Sequence, residues 1–220
     1  MECNDFIRVL KSTAVSLMKA YSDNCEPKSG EIAVFDSSYL LVFPKKRDGT
    51  LRISEQELRF EFIHQLLIDK KKWWYSIETP TMGAYKGFAA GDPECTAEPG
   101  KESSIGQSGK VDTVIFDKTG KRTALIEFKA NNPKKEDYWK DFVKMNHEGV
   151  PNNYFVQLLE SADRATFKNI EGKLDGGKET KNDRKINNAK FYCIVLKKGG
   201  PNHKDLGIYS YDGKCLESTN

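Results

Sequence analysis

A chain of 220 residues with 38% hydrophobic and 30% charged side chains can build one substantial core and lies short of the apolar-poor composition of disorder, so a single α/β domain is expected. Its net charge of +3, from 35 basic and 32 acidic residues, is too small to announce a polyanionic partner by itself. Cysteines 3, 25, 95, 193 and 215 are too far apart for a short-spaced zinc or iron-sulfur motif. No apolar run approaches the roughly 18 residues of a spanning helix, and the start lacks the order of a secretory signal, so a soluble cytoplasmic protein with reduced thiols is expected.

Residues 5 to 21 place Phe6, Ile7, Leu10, Val15, Leu17, Met18 and Tyr21 near helical spacing. From Glu31 to Pro44 the sequence reads as two short strands with a turn at Asp36 to Ser38. Residues 1–50 are therefore expected to form an N-terminal helix and short strands packed on the core, with the main domain in 51–220.

Ser54 offers an N-cap, with Glu57 completing a capping box, for a helix to about Asp69 whose apolar face is Leu58, Phe62, Ile63, Leu66 and Leu67. Trp73 to Thr79 has strand composition and stops at Pro80. Residues 83 to 110, rich in Gly, Pro, Ser and charge, read as a long connection.

Residues 111 to 117 and 123 to 129 are two apolar strands separated by Lys118-Thr119-Gly120-Lys121. A helix opened by Pro133 then carries Tyr138, Trp139, Phe142, Val143 and Met145. A strand follows at Tyr154 to Leu159, a helix at about Ala162 to Leu174, a basic loop at 172 to 188 and a strand at Lys190 to Leu196. Helices interleaved with strands predict a mixed β-sheet flanked by helices, in the order αβββαβ plus αβ.

Alternation along a strand gives Asp112, Val114 and Phe116 one face, and Thr123, Leu125, Glu127 and Lys129 one face of the next strand. A four-residue loop at 118 to 121 pairs 117 with 122 and sets Asp112 opposite Glu127, a neighbouring carboxylate pair. Two such carboxylates repel, and a divalent cation between them relieves the repulsion. Hard oxygen ligands suit Mg²⁺ or Mn²⁺, which take further ligands from water and substrate phosphate. Lys129, on the face of Glu127, is placed to orient the attacking water or neutralise phosphate charge. The plainer alternative is two polar strand ends with Lys129 as an ion-pair partner.

Val111-Asp112, followed at fifteen positions by Glu127-Phe128-Lys129 on a strand hairpin after a Glu-bearing helix, resembles the PD-(D/E)XK nuclease superfamily over roughly residues 54 to 196. The resemblance implies a restriction-endonuclease-like core and Mg²⁺-dependent phosphodiester hydrolysis. Asp112 and Glu127 would be metal ligands, the Phe128 carbonyl a further ligand, and Lys129 the catalytic lysine. Gly109-Lys110 precedes Val111-Asp112, so the proline of the superfamily's name is missing.

The family also draws a glutamate from its first core helix, and the wheel ranks Glu55 ahead of Glu57 and Glu61, because Glu55 alone falls on the side of Leu58, Phe62 and Leu66. Ser54-Glu55-Gln56-Glu57-Leu58 is similar there to the helix start of archaeal Holliday-junction resolvases. A helix start displaced by one turn would reopen the choice. The expected partner is nucleic acid, DNA first, with homodimers common among restriction-like members. Lys70 to Lys72 beside Trp73-Trp74-Tyr75, and Lys134-Lys135 beside Tyr138 and Trp139, interleave basic and aromatic residues as nucleic-acid grooves do. The competing functions are a non-catalytic binding module on the same fold and a nuclease effector switched by a partner.

Overall fold

The computed structural model describes residues 1–25, 41–102, 104–176 and 182–219. In chain order these form α1 (Cys3–Cys25), α2 (Glu55–Ile68), β1 (Trp74–Pro80), β2 (Ala84–Lys86), β3 (Glu94–Ala97), β4 (Lys110–Phe116), β5 (Arg122–Ala130), α3 (Lys135–His147), β6 (Asn152–Leu159), α4 (Arg164–Leu174), β7 (Lys190–Val195), β8 (Gly207–Tyr211) and β9 (Leu216–Ser218). Seven strands make one mixed sheet in the order β1-β4-β5-β6-β7-β8-β9, and β2 and β3 form a separate pair. The architecture is α/β.

Local chemistry sets the boundaries. Ser54 accepts the Gln56 N–H and starts α2, and Asp163 accepts the Thr166 N–H at 2.7 Å and starts α4. Acidic Glu136 and Asp137 in the first turn of α3, with Lys144 and His147 in the last, complement its dipole. Strands β1, β4 and β5 are antiparallel neighbours, whereas β5, β6 and β7 run parallel through crossovers that contain α3 and α4.

Helices cover both faces of the sheet, so β5 is buried from Ala124 to Phe128. Ile126, Phe128, Tyr154, Val156 and Ile194 pack under α1 and α2, while Phe155, Leu159, Phe191 and Cys193 pack under α3 and α4. The Phe6 ring of α1 stacks on Tyr154, with centroids 3.7 Å apart, and Arg8 reaches Asp69 at 2.7 Å.

The long connection at 83 to 110 is more ordered than its composition predicts. It contains β2 and β3, and the Glu148 carboxylate pins it by accepting from Met82 N–H, Gly83 N–H and the Tyr85 hydroxyl at 2.8 to 2.9 Å. A Cβ on Gly87, which has a φ of +78°, would meet the Asp92 carbonyl oxygen at 1.9 Å, so only glycine fits that turn. The strands expected at 31 to 44 fall largely outside the described residues; of the described part, Pro44 precedes an isolated bridge between Lys45 and Leu51.

The β4–β5 turn is longer than the spacing predicts, with β4 ending at Phe116. Phe116, not residue 117, pairs with Arg122, and the Asp117 carboxylate caps the turn by accepting from Thr119 and Lys121 N–H. A bulge between Ile115 and Phe116 absorbs the shift, so beyond it Ile115 pairs with Ala124 and Thr113 with Ile126.

Candidate metal and phosphate site

The β4–β5 pairing ends at Thr113 and Ile126, one step short of Asp112 and Glu127. At that break the Asp112 carboxylate takes the place of a strand partner and accepts the Phe128 N–H at 2.8 Å. Across the other edge of β4, the matching position in β1 is Glu78, held at a φ of +50°. A non-glycine residue in that region of a strand carries backbone strain. Arg59 of α2 bridges the two, with its guanidinium 2.5 Å from Glu78 and 3.7 Å from Asp112.

Alternation along β5 sends Phe128 toward α2, where its ring meets Phe62, and Glu127 and Lys129 toward α3. There α3 presents Asp141 and Lys144. The Lys144 ammonium donates to Glu127 at 2.5 Å, to the Lys110 carbonyl at 2.6 Å and pairs with Asp141 at 2.8 Å. Lys129 pairs with the other Asp141 oxygen at 2.7 Å, donates to the Phe128 carbonyl at 3.2 Å and lies 3.8 Å from Glu55. Side-chain exposure rises from 2% at Glu127 through 12% at Lys129 and 20% at Asp112 to 47% at Glu55. The cluster is closed at α3 and open toward Asp112 and Glu55.

Burial, joined by the nearby Asp141 carboxylate, pushes the Glu127 carboxyl well above the usual range against the pull of Lys144. Burial opposes ionisation of Asp141 too, yet Lys129 and Lys144 outweigh it and hold its carboxyl low. Burial disfavours the charged form of Lys129, but Asp141, Glu127 and Glu55 more than offset it, so the lysine stays an ammonium. Desolvation on the side that faces the cluster raises the Glu55 carboxyl, opposed by Lys129, although nearly half of the side chain stays exposed.

The helix wheel misjudged the burial of the glutamates in α2. Glu57 and Glu61 are buried at 6% and 3% exposure, while Glu55 is exposed. The buried arc is wider than the apolar stripe because α2 packs on α1 as well as on β5. Both buried glutamates are engaged elsewhere: Glu57 with Ser54 and Arg52, Glu61 with Gln65 at 2.7 Å. Glu55 is the one that reaches Lys129.

The strand spacing predicts that Asp112 and Glu127 flank one cation. Their charges are met separately, Asp112 by a backbone N–H and Arg59, Glu127 by Lys144. Among the described residues, three candidate ligand atoms approach within 4.8 Å of one another only at Asp212, Cys215 and Glu217, where Asp212 is occupied capping the β8–β9 turn. Glu55, Asp112, Glu127 and the Phe128 carbonyl are hard oxygen donors and fit Mg²⁺ or Mn²⁺ in chemistry. In this arrangement, however, ammonium groups occupy Glu127 and the Phe128 carbonyl.

Sequence reasoning missed Asp141, Lys144, Arg59 and Glu78. Asp141 left a signal: it stands three residues after Tyr138 and four before Met145, a charge inside an apolar stripe. Arg59 and Glu78 left none, because each looks like an ordinary surface charge until β1 and α2 are placed beside β4. Comparison with family models, with curated proteins and with solved structures finds no match.

Proposed function

We propose that the chain is a metal-dependent nuclease of the PD-(D/E)XK type, with a restriction-endonuclease-like core, that hydrolyses phosphodiester bonds in DNA. The observation that carries this reading is the gathering of Asp112, Glu127, Lys129 and Glu55 around the open end of the β4–β5 pair. The order α2, three antiparallel strands, α3 and a parallel β6 agrees with it.

Asp112, Glu127, the Phe128 carbonyl and Glu55 would hold Mg²⁺, which when bound would supply Lewis acidity toward phosphate and a more acidic water. The protein's own groups have distinct tasks. Lys129, a cation anchored by Asp141, is suited to orient water and offset phosphate charge rather than to accept a proton. The Phe128 N–H fixes the Asp112 carboxylate before substrate arrives.

The test is cleavage of circular and linear, single- and double-stranded DNA with Mg²⁺ by wild type, Asp112→Ala and Lys129→Ala. Each substitution is expected to lower the rate at least a hundredfold while circular dichroism stays native. Undiminished cleavage in both folded variants would overturn the assignment. One observation favours a second reading, a non-catalytic nucleic-acid binding module: Glu127 and Asp141 are already neutralised by Lys144 and Lys129. DNA binding in chelator combined with no cleavage in Mg²⁺ or Mn²⁺ would select it.

A further inference from the structure

The ammonium of Lys144 has three oxygen neighbours at 2.5 to 2.8 Å, on Glu127, Lys110 and Asp141. Three acceptors match the three hydrogens of a lysine, so the group is fully coordinated, and its side chain is only 8% exposed. Two of those oxygens are carboxylate and one is a backbone carbonyl, a donor set that also suits a hard divalent ion.

The surroundings are built for this side chain. Gly109, immediately before β4, faces its stem: a Cβ there would lie 3.2 Å from Lys144 Cδ and 3.1 Å from the Phe88 ring. Asp141 divides its oxygens between two lysines, Oδ1 to Lys144 and Oδ2 to Lys129. Withdrawal of Lys144 would therefore still leave Asp141 neutralised and Lys129 held at the mouth of the site.

We propose that Lys144 is the resident cation of the site and a positioning residue, whose ammonium must leave Glu127 before a divalent ion can take that carboxylate. This rests on the metal-site reading above. An ammonium and a dication sharing one buried carboxylate repel strongly at a few ångströms. Metal binding therefore includes the cost of moving Lys144, and α3 lowers the affinity of a site whose first ligands lie on β4 and β5. The same exchange keeps Glu127 compensated before metal arrives, since a buried carboxylate without a partner is costly.

The experiment is calorimetric titration of the full chain with Mn²⁺, in parallel with thermal unfolding with and without the ion. Lys144→Met keeps the stem and removes the charge; it is expected to bind Mn²⁺ at least tenfold more tightly than wild type and to gain more thermal stability from it. If Lys144→Met folds poorly without metal, Lys144→Gln, which keeps a hydrogen-bond donor for Glu127, is expected to show the same direction. The double variant Lys144→Met/Glu127→Gln is expected to recover metal-free stability and to lose the gain in affinity. Equal or weaker Mn²⁺ binding by both single variants, with binding still abolished in Asp112→Ala, would overturn the role of Lys144 and leave the metal site standing. No Mn²⁺ binding by wild type or any variant would overturn the metal reading beneath it.

Discussion

Glu148 and Glu127 are both buried carboxylates beside a cation, and their neighbours separate their roles. Glu148 accepts from the Met82 and Gly83 N–H groups and the Tyr85 hydroxyl, which tie the β2–β3 excursion to the end of α3, and from Arg122 at the start of β5. Among the described residues, removing it leaves the Arg122 guanidinium only the Pro80 carbonyl and takes the acceptor from two backbone N–H groups and the Tyr85 hydroxyl. Glu148→Ala is therefore expected to destabilise the fold by about 3–5 kcal/mol, as breaking a buried ion pair commonly does. Urea unfolding checks this, and Glu148→Gln, which keeps one acceptor, is expected to lose less. Asp112, Glu127 and Lys129 were legible as a group because strand alternation and one register fix which strand positions meet. Asp141 shows in the sequence only as a charge inside the apolar stripe of α3, and its link to Lys144 looks like a surface pair until the crossover lays α3 over the end of β5.

Helix α1 shows how an element can be anchored by charge as well as by its apolar face. Phe6, Leu10 and Leu17 are buried on the sheet, and Asp5 and Asp69 receive Lys71 and Arg8 at the rim. The Lys71 hydrogen bond, helped by Arg8, holds the Asp5 carboxyl below its usual range; Arg8, helped by Trp73, does the same for Asp69. A carboxyl depressed in the folded state contributes stability above its unfolded pKa and loses it as pH falls through the folded value. The anchoring is thus complete above about pH 4, the ordinary aspartate range, and fades below it. Arg8→Ala is expected to lower the thermal midpoint at neutral pH, with the difference from wild type shrinking as the pH falls below about 4. A difference of constant size across that range would show that Arg8 acts through packing alone.

At the same scale, α2, β1, β4 and β5 were readable to within a residue or two from caps, prolines and alternation. The excursion at 83 to 110 was not, because Glu148 and Arg184 pin it from distant segments, Arg184 through Asp92. The hairpin turn differs by one residue from the spacing because Asp117 closes it with its N–H on the Lys121 carbonyl, while its carboxylate accepts from Thr119 and Lys121.

Over the whole molecule, the topology ranks the two basic-aromatic segments. Lys70 to Lys72 follow the C-terminus of α2, while Glu55 begins it, so 14 residues of helix set them roughly 20 Å from the site along the axis. Lys71 is also engaged with Asp5. Lys134 and Lys135 begin α3 directly after the strand that carries Lys129, on the side of the site, and Lys135 lies over the Trp139 ring at 4.6 Å. Lys134→Glu/Lys135→Glu is expected to weaken DNA binding more than Lys70→Glu/Lys72→Glu and to flatten its salt dependence. Fluorescence anisotropy at several salt concentrations measures both. No helix of the described residues is long and apolar enough to cross a membrane.

The proposed nuclease chemistry requires that the carboxylates and lysines at the end of β4 and β5 support metal-dependent strand scission. The most direct measurement is a time course of DNA cleavage by the wild-type chain in Mg²⁺, in chelator, and in chelator followed by excess Mg²⁺. Cleavage that stops in chelator, returns with Mg²⁺ and is absent throughout from Asp112→Ala is the predicted result. Cleavage that persists in chelator, or survives Asp112→Ala in full, would contradict it.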